Sequence, residues 1–420
     1  MPASVSRDQP EAGAAPTPHP WKRLCVAIVT ETYPPEINGV ANTMRRLVAG
    51  LRRLGHQVIL VRPRQPGERA DTPAADPLAA PDHLLLVPGL PIPGYRSLRF
   101  GLPMRRRLRR AWRRLRPDAV YIATQGPLGH AALAGTRAAD IPVVTGFHTQ
   151  FHQYSRHYGL GLLMRPIVGM LRRFHNAADA TLVPTAALEH ALEDDGFHNV
   201  EIFSRGVDTA LFSPQRRDAE LRRTWGCGDD TLVALYVGRI AAEKNIGLAF
   251  DAFRAILDVR PDGRVVLVGD GPELERLRRE HPDYLFTGAR VGEALAAHYA
   301  SADLFVFPSL TETFGNVVTE AMASGLAVLA FDEAAAREHI RNGENGLTVP
   351  PGDRDGFIAA ATAAAADPET LKRLGLSARR KAELLGWDRI IRGVEQRLFE
   401  IIERHAHPGE RHETMAATTE

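Results

Sequence analysis

Two acids, Glu312 and Glu320, stand eight positions apart in TETFGNVVTEAMASG, Thr311 to Gly325, around a Phe-Gly-Asn that opens a helix-like run. At such a start the backbone N–H groups of Gly315, Asn316 and Val317 have no helical acceptor and carry the positive end of the helix dipole, which suits a phosphate or a sugar hydroxyl. An ionised carboxylate only accepts hydrogen bonds, so one acid before this anion site and one about a turn past it can hold hydroxyls, one set from a sugar and one from a ribose. A first-turn dipole partner and an exposed helix acid would show the same spacing. A second set lies in YVGRIAAEKNIG, Tyr236 to Gly247, where Arg239 and Lys244 share one loop after a strand-like run. Two cations there can clamp a diphosphate or can be solvated loop charges. In ETYPPEINGVANT, Gly39 follows a Pro-rich turn and opens a helix from about Val40. A glycine at that point lets backbone approach a phosphate, or serves only as the joint between loop and helix.

These residues need a scaffold, and the apolar pattern predicts one. LCVAIVT (24–30), HQVILVR (56–62), DAVYIAT (118–124), IPVVTGF (141–147) and ATLVPT (180–185) are short β-branched runs with helix-period segments between them. Such runs are buried parallel strands, and together they make one doubly wound sheet. RGVDTALFSP (205–214) has linker chemistry. The pattern then restarts with VALYVGR (233–239), RVVLVGD (264–270), YLFTG (284–288), DLFVFPS (303–309) and LAVLAF (326–331). The fold class expected is α/β, two Rossmann-like domains with ligand in the cleft at the carboxyl ends of the strands. The boundaries expected are a disordered tail at 1–22, an N-terminal domain at 23–205, a C-terminal domain at 206–385, a helix at 386–405 and a second tail at 406–420.

In order and spacing, ETYPPEINGV, GRIAAEK, VGDGP and ETFGNVVTEAMASG resemble glycosyltransferase family 4 over roughly residues 23 to 403. FHTQFH and the Asn-Gly-Val loop are similar to its branch of GDP-mannose-dependent α-mannosyltransferases and bacterial enzymes that glycosylate diacylglycerol-type lipids. The resemblance implies the GT-B fold, with the last helix crossing back onto the first domain. It implies that Gly39, Arg239 and Lys244 contact the donor diphosphate and that Glu312 holds donor sugar hydroxyls. Phe314, Gly315, Asn316 and Val317 would supply backbone donors, Glu320 would hold the ribose, and Val291 is placed with the substrate-binding residues. His148 matches the family histidine near the reacting centre. Many members carry Gly-Gly where this chain has Asn38-Gly39. Retention of configuration also rests on the resemblance. The implied partners are a nucleotide sugar, GDP-mannose or a UDP-hexose, and a lipid or glycan acceptor; no cofactor and no metal is expected. An epimerase or phosphorylase-type enzyme of this fold, or a non-catalytic nucleotide-sugar-binding subunit, remains open.

Other patterns narrow the class. GDGPEL has Leu274 where a dinucleotide fingerprint needs its third glycine, which argues against a dehydrogenase. Asp353-Arg354-Asp355 could hold a metal-bound nucleotide but opens an Ala-rich helix, where capping is expected. His148, His152 and His157 lack a carboxylate or cysteine to complete a metal set. The net charge of +2 does not point to nucleic acid, and two distant cysteines suit a reducing compartment. With no apolar run of transmembrane length, the location expected is cytoplasmic, peripheral on the inner face of the membrane. MRRRLRRAWRRLR, Met104 to Arg116, carries eight arginines around an apolar stripe. It reads as a helix packed on the sheet, or one that also docks on an anionic leaflet. Leu160, Leu163, Met164, Ile167, Leu171 and Phe174 form a second apolar face edged by Arg165, Arg172 and Arg173.

Overall fold

Chain segments rich in Val, Ile, Leu and Phe are buried on both faces and pair in parallel, giving two separate sheets. The computed structural model describes residues 23–34, 36, 39–65, 68, 79–92, 95–147, 161–228, 230–312 and 314–407. The expected tail at 1–22, most of that at 406–420, and His148, His152 and His157 lie outside them. The first half contains β1 (Cys25–Val29), β2 (Gln57–Pro63), β3 (His83–Val87), β4 (Gly89–Ile92), β5 (Tyr95–Gly101), β6 (Ala119–Ile122), β7 (Val143–Gly146), β8 (Ala180–Val183) and β9 (Val200–Ile202). Seven of these form one sheet in the order β3-β2-β1-β6-β7-β8-β9, and β4 and β5 make an antiparallel hairpin. The second half contains β10 (Val233–Val237), β11 (Arg264–Val268), β12 (Leu285–Gly288), β13 (Leu304–Phe307), β14 (Ala327–Phe331) and β15 (Leu347–Val349), in the order β12-β11-β10-β13-β14-β15.

All ten runs singled out in the sequence are strands. The edge strands β3 and β9 and the hairpin were not anticipated, because an edge strand buries only part of its surface and leaves a weak apolar signal. In β3, His83 and Leu84 are exposed while Leu86 and Val87 are buried. Each sheet reverses its strand order beside its first strand, between β1 and β6 and between β10 and β13. At these switch points the neighbouring loops diverge and leave a crevice outside the carboxyl ends of the strands. Both sets of sequence-selected loops fall there: the Thr30–Gly39 loop follows β1, the Arg239–Lys244 loop follows β10, and the Ser309–Gly315 loop follows β13.

The final helix, Trp387–Ala406, does not belong to the sheet that precedes it. Its buried residues Trp387, Ile391, Val394, Leu398, Phe399 and Ile401 complete the core around Leu24, Val26, Ile28, Val58 and Leu60 of the first half. It lies against the helix Gly39–Arg53 so closely that a Cβ on Gly50 would stand 2.6 Å from Ile391, and His56 Nε2 meets Glu395 at 2.7 Å. The helix Arg105–Leu115 buries Leu108 and Trp112 against the opposite face of the same sheet. Its apolar stripe is thus used by the core, and all eight arginines from Arg105 to Arg116 remain exposed.

Truncating the docked face of the final helix should loosen the first half although the change lies far from it in sequence. We expect Leu398→Ala to destabilise the protein by about 2–4 kcal/mol through lost burial and the cavity left behind. A urea titration followed by circular dichroism measures it; an unchanged midpoint would show that the helix is not part of that core.

Candidate active site

The loop after β13 turns into the helix Asn316–Ala323 through Gly315, whose φ of 84° is left-handed, a region where a side chain would be strained. Phe314, just before it, is buried against His339, which anchors the turn. The helix ends at Ser324, with Gly325 left-handed behind it. Its N-terminus faces the first half of the chain. A Cβ on Gly39 would lie 3.6 Å from Asn316 Nδ2 and 3.3 Å from a terminal nitrogen of Arg205. The helix Gly39–Arg53 also starts at this point. Two helix N-termini from the two halves of the protein therefore point into one gap, and the positive ends of their dipoles meet there.

Glu312 lies at the mouth of the gap. Lys244 Nζ donates to Glu312 Oε1 at 2.7 Å and to the Thr311 carbonyl at 3.3 Å, and Ser309 Oγ donates to the same carboxylate oxygen at 3.0 Å. Arg239 is more exposed and donates to Glu243 at 2.8 Å within its own loop. The two cations expected to clamp a diphosphate are thus each engaged by a carboxylate. Lys244 and Glu312 form one unit, and ligand entering here must share or replace that pair.

Glu320 is not an exposed helix acid. It is only partly accessible, and Tyr299 donates a hydrogen bond to its Oε2 at 3.2 Å. Desolvation pushes its carboxyl up to about 7, against the smaller opposing effects of the Tyr299 hydrogen bond and of Arg46 across the gap. Arg46 itself is held by Asp208 at 2.6 Å. Val317 sits partly buried on the same helix. Val291 is exposed and precedes the helix Gly292–Ala300, at the end of the edge strand β12, two strands across the sheet from β10. His148 lies outside the described residues, one position beyond the buried Phe147 at the end of β7.

Asp353 accepts from the Gly356 N–H at 2.9 Å and caps the helix Arg354–Ala366, and Arg354 pairs with Asp251. The acidic pair of that segment therefore serves a helix start. Two residues were missed by sequence reasoning. Arg205 sits in the stretch read as a linker, with its guanidinium carbon 5.9 Å from the centre of the Phe314 ring. Tyr299 lies in a helix with no motif. A lone arginine beside a Gly-Val-Asp turn is a weak signal, and only burial distinguishes it.

Two doubly wound domains that meet over a cleft lined by helix N-termini, cations and hydroxyl-holding acids define a glycosyltransferase of the GT-B class. The family comparison agrees. The model described as Glycosyltransferase Family 4 matches residues 37–211, and that described as Glycosyl transferases group 1 matches 231–367. A GDP-mannose-dependent alpha-mannosyltransferase of Mycolicibacterium smegmatis is 36% identical over 86% of this chain and 93% of its own length. An alpha-monoglucosyldiacylglycerol synthase of Acholeplasma laidlawii is 29% identical over 77% of this chain and 84% of its own. Among solved structures, sucrose-phosphate synthase from Thermosynechococcus elongatus superposes with a TM-score of 0.75 at 20% identity, covering 91% of this chain and all of that one. The chain belongs to glycosyltransferase family 4. It is a hexosyltransferase that moves sugar from a nucleotide sugar.

The raised Glu320 sets a pH dependence whose sign is fixed. A carboxyl that titrates higher in the folded protein than in the unfolded chain contributes stability below the unfolded value and loses it as pH rises through about 7. Between pH 6 and pH 8 the ligand-free wild type should lose roughly 1–3 °C in Tm relative to Glu320→Gln. Scanning calorimetry of both proteins checks this, and a constant gap between them would show that Glu320 does not titrate in this range.

Proposed function

We propose that this enzyme transfers mannose from GDP-mannose to a lipid acceptor at a membrane surface, with retention of configuration and without a metal. The observation that carries the transfer reading is the gap where Gly39 and Asn316 meet, with Lys244 and Glu312 at its mouth. Breaking the bond between sugar and diphosphate places negative charge on the leaving phosphate and oxocarbenium character on the sugar. Preorganised donors aimed at developing charge commonly contribute more to such catalysis than any other effect. Lys244, Arg239 and the N–H groups of Gly315 to Val317 supply that stabilisation here. Glu312, oriented by Ser309 and Lys244, is placed to hold sugar hydroxyls, and Glu320 to hold the ribose. Retention follows if the acceptor hydroxyl attacks on the face from which the phosphate departs and gives its proton to that phosphate. Closure of the two domains would exclude water and limit hydrolysis of the donor.

The choice of donor is supported by the 36% identity to a GDP-mannose-dependent relative, and the choice of a lipid by the diacylglycerol-glycosylating relative. Surface chemistry adds to the second. The helix Arg105–Leu115 turns its arginines outward, and Ile167 and Met170 are 38% and 48% exposed on the helix Gly161–His175 of the same half. Among the described residues no helix is long and apolar enough to cross a membrane. At about 1 kcal/mol for each basic residue near an anionic leaflet, four engaged arginines suffice for reversible docking.

Labelled GDP-mannose, UDP-glucose and UDP-glucuronate, each offered with membrane lipid extract, test the reading. The expected product is an α-linked mannolipid, formed from GDP-mannose and in the presence of EDTA. Conversion of the donor without transfer would identify an epimerase, and no turnover a binding subunit. Lys244→Ala should lower kcat by about 10²–10³-fold, as for loss of one oxyanion donor; near-normal turnover would remove Lys244 from the mechanism.

Docking has its own readout. Sedimentation with vesicles should increase with anionic lipid, fall with salt, and weaken when Arg105, Arg106, Arg109 and Arg113 are changed to glutamine. Equal partitioning onto neutral and anionic vesicles would overturn the membrane claim and leave the transferase intact.

A further inference from the structure

Four cations stand around the gap between the two domains, and they differ in how their charge is balanced. Lys244 is bound by Glu312, Arg46 by Asp208 and Arg239 by Glu243. Arg205 has no such partner: among the described residues no carboxylate forms an ion pair with it, and its Nε is buried without a hydrogen-bond acceptor. It is also the most deeply enclosed of the four, at 6% exposure. Burial draws its pKa down to about 10, with Tyr121 and Glu312 as weaker opposing influences, so it remains charged at neutral pH.

A guanidinium enclosed without a counter-charge is costly, because desolvation is not offset by an ion pair. The location makes the imbalance greater. One terminal nitrogen lies 3.3 Å from where a Cβ of Gly39 would be, at the start of the helix Gly39–Arg53, and the start of the helix Asn316–Ala323 faces the same spot. Two positive helix ends and one guanidinium without an ion-pair partner among the described residues converge on one point, and the ligand chemistry that balances them is a group carrying about two negative charges. The Phe314 ring, 5.9 Å from the guanidinium carbon, fixes the side chain from the other domain.

We propose that Arg205 is a catalytic residue of the transfer, its guanidinium donating hydrogen bonds to the non-bridging oxygens of the phosphate that leaves with the nucleotide. This rests on the transferase reading above. In the step, the bond between the sugar C1 and the distal phosphate oxygen breaks and its electron pair stays on that oxygen. A new bond forms from C1 to the acceptor hydroxyl oxygen, and the hydroxyl proton passes to the departing phosphate. The products are the glycosylated acceptor and a nucleoside diphosphate. Arg205 stabilises the charge that grows on the phosphate, and it does so only in the closed arrangement, since it comes from the end of the first sheet while Phe314 and Asn316 belong to the second.

A residue that touches the distal phosphate must distinguish a nucleoside diphosphate from a monophosphate. Isothermal titration of the full chain with GDP and GMP, and with UDP and UMP, compares wild type, Arg205→Gln and Arg205→Lys. Arg205→Gln should bind the preferred diphosphate about 10–100-fold more weakly, the size of a charged hydrogen bond, with the monophosphate within about twofold. Turnover should fall by about 10²–10³-fold. Arg205→Lys keeps the charge without the planar fork and should recover part of both losses. The ligand-free Tm of Arg205→Gln should equal or exceed that of wild type, because a buried charge with no ion pair among the described residues has been removed. Wild-type-like diphosphate binding by Arg205→Gln, or equal loss of diphosphate and monophosphate together with a lowered Tm, overturns the proposal and makes Arg205 a packing residue. Failure of wild type to bind either diphosphate overturns the donor reading itself, and with it this role.

Discussion

Two positive helix ends repel when they face each other across a narrow gap, and the rest of this structure is arranged around that constraint. The helices Gly39–Arg53 and Asn316–Ala323 come from different sheets and begin at the same place, close enough for a Cβ on Gly39 to stand 3.6 Å from Asn316. Without ligand the local excess of positive charge is offset by acids: Glu312 on Lys244, Asp208 on Arg46 and Glu243 on Arg239. A diphosphate entering the gap would meet donors already oriented by folding and would compete with those acids for them. An anion held by such donors would be able to leave as well as arrive, which suits a donor consumed in every turnover.

The same constraint explains the final helix. Because the gap lies between the two sheets, their relative placement decides how wide it is. The chain leaves the first sheet at β9, builds the second sheet, and returns as Trp387–Ala406 to complete the core of the first. The two crossings lie side by side, since Val207 bridges Gly386 and the Val207 N–H donates to the Leu385 carbonyl at 2.9 Å. This paired crossing lies two residues from Arg205, so it also helps to fix where that cation stands.

The two halves carry different chemistry. The second half carries the Lys244–Glu312 pair, the helix Asn316–Ala323 and Glu320. The first half carries the exposed arginines of Arg105–Leu115 and the apolar side chains Ile167 and Met170. A membrane-facing first domain would bring an insoluble acceptor to the cleft while the second domain collects its donor from water, so neither substrate needs to leave its own phase.

The sequence alone determined the two-sheet architecture, because buried parallel strands need unbroken β-branched and aromatic runs, and those runs are visible without any contact. It also determined the helix from Asn316 with its stop before Gly325, and the amphipathic helix that buries Leu108 and Trp112, since helix period and glycine placement are local properties. Arg239, Lys244, Glu312 and Glu320 could be picked out by type and spacing. Only the tertiary structure decided what state they are in. Lys244 and Glu312 are 68 positions apart and become one ion pair because β10 and β13 are neighbours at a switch point. Glu320 titrates near 7 because packing around Tyr299 removes its water. Arg205 looked like a linker charge, and its enclosure between Phe314 and Gly39 exists only once both domains are folded together. Periodicity records which face of an element is apolar; charge balance and desolvation depend on distances between elements, and those distances are set by the fold.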